Sequence, residues 1–561
     1  MKSQFLLLLL FMGVWLSATA QDTLSTDGFD QTDVIQNEVI EVVKLYEPIL
    51  ADAKKIKLVP DLKEQEVAQS TNTSNPVFND YQVPNRFLSL TFEPPGLKPL
   101  ALKKKRPESL YNAWLKAGYG NYNTPLIDFS VSTGRPSENS LGLQLQHLSS
   151  RVPENYQQDF MNNLGKAFGN FYFGKNYLNV SLAGEYDQYF YYGYDWTDST
   201  NYPLDEDVKI NTLTIPISVE LGSAEENNAN VFYKFGLDYH FFNTNWNTKE
   251  NQVGYRLDLE KRFDNRWLVG IDSDANFTTY EDSLKQGENS LETFALNAVP
   301  YVGITQPWGK LRLGVNLGVD QNDFLPYPDL QFAVHLIEKQ LTLYGGWNKE
   351  VIKNNARNMT EQNPFLRQTP FYLNSVKESR FVGFSGNVGS NFMFDLKGGQ
   401  YITDKQPLFI NMAVDPAQFT IIYDSTLTTL GGVASLSYIF NEQNSISASF
   451  QYLGFSAEDE TEGVWHIAPI EFNLSGTWEP IPKLKLRTDF IVYSGVEARA
   501  IDGTVVNLEA ILDWNIGAQY WFSEKFAIFL DGNNLLNRKT ARFLNYPRYG
   551  LNAIGGIQYR F

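Results

Sequence analysis

Four histidines are the first residues to test for chemistry, and they stand far apart at His147, His240, His335 and His466. No pair falls at the i,i+3 or i,i+4 spacing that lets one helix present two imidazoles to a metal. The sequence has no cysteine, which removes disulfides, thiolate metal sites and sulfur nucleophiles. Gly383-Phe384-Ser385-Gly386 shares only its outline with a nucleophile elbow, because alternating residues surround it and no helix follows. Glu458-Asp459-Glu460-Thr461-Glu462 could offer carboxylates to Ca²⁺, yet it lacks the spaced ligands of a calcium loop and reads as a solvated acidic turn. Lys103, Lys104, Lys105 and Arg106 form a basic cluster suited to lipid phosphates or an acidic partner, or simply to a solvated linker. A net charge of −18 argues against nucleic acid, whose phosphates need a basic surface. No catalytic set, metal site or cofactor motif emerges, and ligand-binding residues cannot be picked out by spacing.

The elements that would carry such residues are more legible. Residues 1–20, MKSQFLLLLLFMGVWLSATA, combine Lys2, an apolar run and Ala18-Thr19-Ala20, the pattern of a cleavable signal peptide. No cysteine follows to take a lipid anchor, and no later apolar run is long enough for a membrane helix. Aromatics make up 14% of the chain while mean hydropathy is −0.31, so the rings are interleaved with polar residues. The interleaving is regular. Leu178, Val180, Leu182, Gly184 and Tyr186 alternate with Asn179, Ser181, Glu185 and Asp187. Leu311, Leu313, Val315, Leu317 and Val319 alternate with Arg312, Asn316 and Asp320. Period-two alternation places one set on each face of a strand. The apolar faces run too deep, and the polar faces are too charged, for an ordinary sandwich. A lipid-facing side and a wet lumen explain both, so the sequence predicts an all-β transmembrane antiparallel barrel over residues 111–561.

Short connections (173–177, 263–267, 307–310, 338–340, 389–391, 441–444, 480–483 and 522–526 among them) are expected to alternate strictly with longer ones. The longer ones fall near 151–161, 195–205, 244–252, 281–290, 351–378, 403–418, 456–464, 498–506 and 538–551. Counting through them gives 22 strands at about 20 residues each with its connection, room for a membrane span. Tyr189-Phe190-Tyr191-Tyr192, Trp465, Trp478 and Trp521-Phe522 are expected to be interfacial girdle rings. The ending AIGGIQYRF alternates likewise, with Ile557, Tyr559 and Phe561 on one face.

That ending resembles the assembly signal of outer-membrane barrels. With Asp531-Gly532-Asn533-Asn534-Leu535-Leu536-Asn537 and Tyr546-Pro547-Arg548-Tyr549-Gly550, it resembles the last hairpin of TonB-dependent receptors of the Bacteroidota type. The resemblance is sharp over roughly the last 40 residues and architectural elsewhere. It implies a 22-stranded barrel, location in the outer membrane, contact with outer-membrane lipid and lipopolysaccharide, and delivery by the barrel assembly machinery. The family's N-terminal plug is not matched. Residues 21–110 hold VIQNEVIEVVKLY (34–46) and then Pro- and Asn-rich stretches, and read as an extended periplasmic or lumenal tail. A barrel this wide needs its lumen closed, by the tail, by inward loops such as 351–378, by a partner, or by its own side chains if it is squashed. Two functions follow: solute transport across the outer membrane, or a non-transporting subunit of an outer-membrane complex whose tail docks on periplasmic or membrane partners.

Overall fold

The structure is a computed structural model that describes residues 112–561 except 134–138, 153–157, 195–207, 225–228, 247, 264–265, 283–290, 322, 368–371 and 459–462. The signal peptide, the tail, Lys103–Arg106 and most of the acidic stretch 458–462 lie outside the described residues.

Twenty-two strands form one antiparallel sheet, each paired with its neighbour in sequence, and the last pairs with the first. Closure runs from Trp114↔Arg560 to Gly120↔Ile554, and Phe561 N–H adds a bond to Ala113 O at 2.9 Å. Joining the two ends requires close backbone approach. A Cβ on Gly556 would stand 2.1 Å from the Ala117 carbonyl oxygen, so only glycine fits that point of the seam.

The alternation sorts as its physics demands. Leu182 is 50% exposed on the outside, and Leu311, Leu313 and Val315 are exposed beside one another. The opposite parity builds a polar lumen wall. There Arg312 bridges Asp272 at 2.5 Å and Asp329 at 3.3 Å, and Lys116 meets Asp531 at 2.9 Å. Trp478 and Phe522 are exposed near the short-turn end, as girdle rings should be.

The connections depart from strict alternation. At the end opposite the C-terminus, residues 121–123 form a tight turn, and Asp320 and Asp323 are directly paired across another. The stretch near 244–252 is mostly strand, because Thr248–Phe263 begins there. Likewise the fifteenth and sixteenth strands, Phe392–Asn411 and Phe419–Asn441, extend far into the expected loop 403–418. Polar residues in these extensions resemble loop in composition, but they pair across the hairpin from Gln406↔Asp424 to Asn411↔Phe419.

Candidate functional site at the outward mouth

The short helix Ala356–Gln362 stands in the connection between the thirteenth strand, Leu341–Ile352, and the fourteenth, Ser375–Val388. Its sequence supplies its own start. Asn355 Oδ1 accepts from Asn358 N–H and Asn358 Oδ1 from Asn355 N–H, both at 2.8 Å, a reciprocal cap. A helix of seven residues would be marginal alone. Tertiary contacts hold it. Glu250, fully buried on the eighth strand, accepts from Ala356 N–H at 2.6 Å and meets His240 Nε2 at 2.7 Å. Asn355 Nδ2 donates to Gln252 at 2.8 Å, Lys353 Nζ to Asn276 at 2.9 Å, and Arg357 lies 3.5 Å from Glu185 on the fifth strand. Burial pushes the Lys353 ammonium below its usual range, against the pull of Asp274, Asp238 and Glu250.

The outer part of the thirteenth strand leaves the wall first. Its ladder with the twelfth strand, Asp323–Ile337, stops at Asp329↔Asn348, although the twelfth stays paired with the eleventh, Gly309–Asp320, as far as Asp323. Pro326 and Pro328 explain the break. A proline keeps one ladder intact only if its missing N–H would have pointed to the other edge, so this edge lacks two donors. The displaced strand finds substitutes. Asn297 on the tenth strand donates Nδ2 to Val351 O and accepts from Val351 N–H, both at 2.9 Å, doing with one amide what a paired strand would do. Asn316 Nδ2 donates to Lys349 O at 2.8 Å. Further along, Lys405 interrupts the fifteenth strand at φ 56, and its ammonium reaches Asp320 of the eleventh at 3.1 Å. Asn374 Nδ2 donates to the other oxygen of Asp320 at 2.9 Å.

These strand ends and the helix loop meet an aromatic core. Tyr191, Tyr372, Phe419, Leu366 and Met359 are buried together with Phe365, Phe543 and Tyr546. The Phe365 and Tyr546 rings stack at 3.7 Å, and Arg367 lies over the Trp246 ring. Leu366 bridges to Phe419, Tyr194 Oη donates to Asp415 at 2.8 Å, and Tyr546 Oη donates to Ala417 O. Tyr194 follows the fifth strand and Asp415 precedes the sixteenth, eleven places apart in a ring of twenty-two. Connections that rise from opposite walls are therefore in direct contact at this end. Tyr191 and Tyr192 belong to this inner core and not to a lipid-facing girdle, and Trp465 is only 3% exposed among the outer loops. Burial raises the phenol pKa of Tyr191 above its ordinary value.

The histidines separate as their spacing suggests. His147 bonds Asn163 and Ser149, and His335 bonds Thr342. His240 belongs to the Glu250 pair. His466 packs on Phe419 and Phe543 with ring centroids 5.3 and 5.5 Å away, and neither ring nitrogen has a partner. Burial pushes its pKa down to about 4, opposed by the Arg542 main chain. Among the described residues no three metal-ligating side chains converge. Gly383-Phe384-Ser385-Gly386 lies inside the fourteenth strand. Ile557 pairs with Ala117 and Tyr559 with Leu115 in the closing ladder, while Phe561 stacks edge-on against Tyr559. Glu250, His240, Asn297 and the two prolines carry no motif. The departure of two prolines from a strand pattern was the one local signal available.

No family model and no curated protein matches the sequence. Solved structures do. The siderophore receptor PirA from Acinetobacter baumannii aligns with a TM-score of 0.62 at 10% identity, over 82% of this chain and 81% of its own. The copper transporter OprC aligns at 0.60 and 12% identity, over 82% of each chain. The ferric-catecholate import receptor Fiu from E. coli K12 aligns at 0.59 and 9% identity, again over 82% of each. In fold, the chain is a closed 22-stranded antiparallel barrel similar to those of these receptors and this transporter.

Proposed function

We propose that this chain is an exported outer-membrane transport barrel whose outward mouth is shut by its own strand ends and loop. The observation that carries this reading is the Tyr194–Asp415 bond between connections from opposite walls, backed by the Glu250 anchor of the helix. The similarity to receptors and to a copper transporter supports passage of a solute through the lumen. Lipid and lipopolysaccharide would bathe the apolar outer face. Ile557, Tyr559 and Phe561 would be read by the assembly machinery before closing against the first strand. The tail, residues 21–110, would add a second barrier or a docking segment from the periplasm, with Lys103–Arg106 near the rim.

Planar-bilayer recording tests self-closure. Replacing 354–374 with a short Gly-Ser turn is expected to raise single-channel conductance well above that of the full chain. Equal conductance in the two proteins means that the loop does not seal the barrel.

A second reading is favoured by the aromatic core of the mouth, since a polar solute must break the stacked Phe365–Tyr546 pair to pass. In that reading the barrel is a non-transporting subunit of a membrane complex. Stoichiometric recovery of partner proteins from native membranes, together with silence of the loop variant, would decide for it.

A further inference from the structure

An ion pair interrupts the apolar outer face of the wall. On the fourteenth strand Val382, Phe384 and Val388 are exposed on that face, and Arg380 and Glu378 continue the same parity. The flanking strands place Trp347 and Gln400 in register with Arg380, on the same side. Glu378 gathers the donors. Its Oε1 accepts from Arg380 Nε at 2.7 Å and from Trp347 Nε1 at 2.8 Å, and Arg380 Nη2 lies 2.5 Å from it. The guanidinium stands 5.4 Å from the Trp347 ring centroid.

The two charges differ in access. The Glu378 side chain is 13% exposed and the Arg380 side chain 49%. Arg380 Nη1 has only a 3.5 Å contact with Gln400 Oε1, so the five N–H groups of the guanidinium are not all taken. Gln400, with its oxygen turned to Arg380, keeps its Nε2 as a second donor.

Height decides what these donors meet. Arg380 lies eight residues from Val388 and the short turn beyond it, about 20 Å along the axis at the usual strand rise and tilt. The apolar band of such barrels is about 25 Å tall, so the guanidinium stands near its outer boundary. Tyr239, eight residues into the seventh strand, Val231–Thr244, keeps the same level with a neutral partner, donating to Asn251 at 2.9 Å. A cation at that level faces lipid headgroups, not acyl chains, and a guanidinium matches phosphate oxygens with paired N–H donors.

We propose that Arg380 and the Gln400 amide bind the phosphate of an outer-leaflet lipid headgroup, and that Glu378 and Trp347 position the guanidinium. This rests on the outer-membrane reading of the barrel and is independent of transport.

Native mass spectrometry of the full chain, stripped of carried lipid in detergent, tests the site with lipid A as the probe. Dephosphorylated lipid A and inorganic phosphate are the comparisons. Lipid A is expected to bind at least fivefold more tightly than its dephosphorylated form, and Arg380→Gln to abolish that preference. Glu378→Gln should keep or increase it, because the cation remains and a nearby negative charge is gone. A bridge that serves only the fold would instead make the two variants behave alike. Should Arg380→Gln fail to fold, Glu378→Gln decides alone. No preference in the parent, a preference retained by Arg380→Gln or lost in Glu378→Gln, or displacement of lipid A by inorganic phosphate, overturns the proposal. Heat-modifiable gel migration of the same samples tells a chain that is no membrane barrel from a folded barrel that ignores the phosphate.

Discussion

Glu250 concentrates much of the mouth's energetics in one side chain. Its two oxygens hold an imidazole and the first helical N–H, and it has no access to water. Removing one partner of such a buried set typically costs about 3 kcal/mol, because the groups left behind lose their partner without regaining solvent. Glu250→Ala should thus release the helix and increase channel opening events at least tenfold, whereas Glu250→Gln, which keeps an acceptor, should fall between. His466 makes a prediction about pH. Folded, it is held neutral, with a pKa near 4 against an ordinary value of 6.5. The unfolded loop binds a proton that the folded loop refuses, so the stabilisation is complete above pH 6.5 and is lost as pH falls through about 4. The loss approaches ~3 kcal/mol at the acid limit. Fluorescence of the neighbouring Trp465 should report loosening over that window, and His466→Phe should remove the pH dependence.

At the scale of elements, the outer ends of the thirteenth to sixteenth strands behave as one piece of sheet turned inward. Edges turned out of a ladder need other partners, and the Asn297 and Asn316 amides provide them. Restoring donors on the abandoned edge should weaken the arrangement. Pro326→Val with Pro328→Val is expected to let the thirteenth strand pair again with the wall and to raise conductance. Amide exchange at 349–352 would show whether that pairing has changed, and conductance equal to the parent's would show that the prolines are not what keeps the strands apart. The crossing itself can be trapped. Since the chain has no cysteine, Tyr194→Cys with Asp415→Cys introduces the only thiols. A short bis-maleimide, which spans the reach of the lost tyrosine ring, should join them in high yield and give a gel band of altered mobility. Failure to join would mean the two connections do not meet there.

For the whole molecule, closing the 22-stranded sheet first strand to last removes the free edges along its membrane span, as a bilayer requires. Detergent extracts should therefore show a β-rich spectrum and compact migration that heating abolishes. The tail is tested separately by removing residues 21–105 and recording conductance beside the loop variant. If closure lies in the mouth, tail removal alone leaves the barrel quiet and loop removal opens it.

The residues alone determined the class of fold. Leu178 to Tyr186 and Leu311 to Val319 fix their faces by parity, and no change of environment alters which side chains lie together on one side of a strand. The count of strands was also legible, because turn residues punctuate the chain at nearly regular intervals. Only tertiary structure decided the mouth. Tyr191 reads as a girdle ring until Phe419, from a strand eleven places away, joins Phe365 and Tyr546 from two other connections to cover it. Asn297 reads as one more lumen-facing amide until Val351 arrives from three strands along the wall. The physical reason is range. Alternation is a relation between neighbours in sequence, whereas closure joins residues that touch only after the sheet has curved through a full circle.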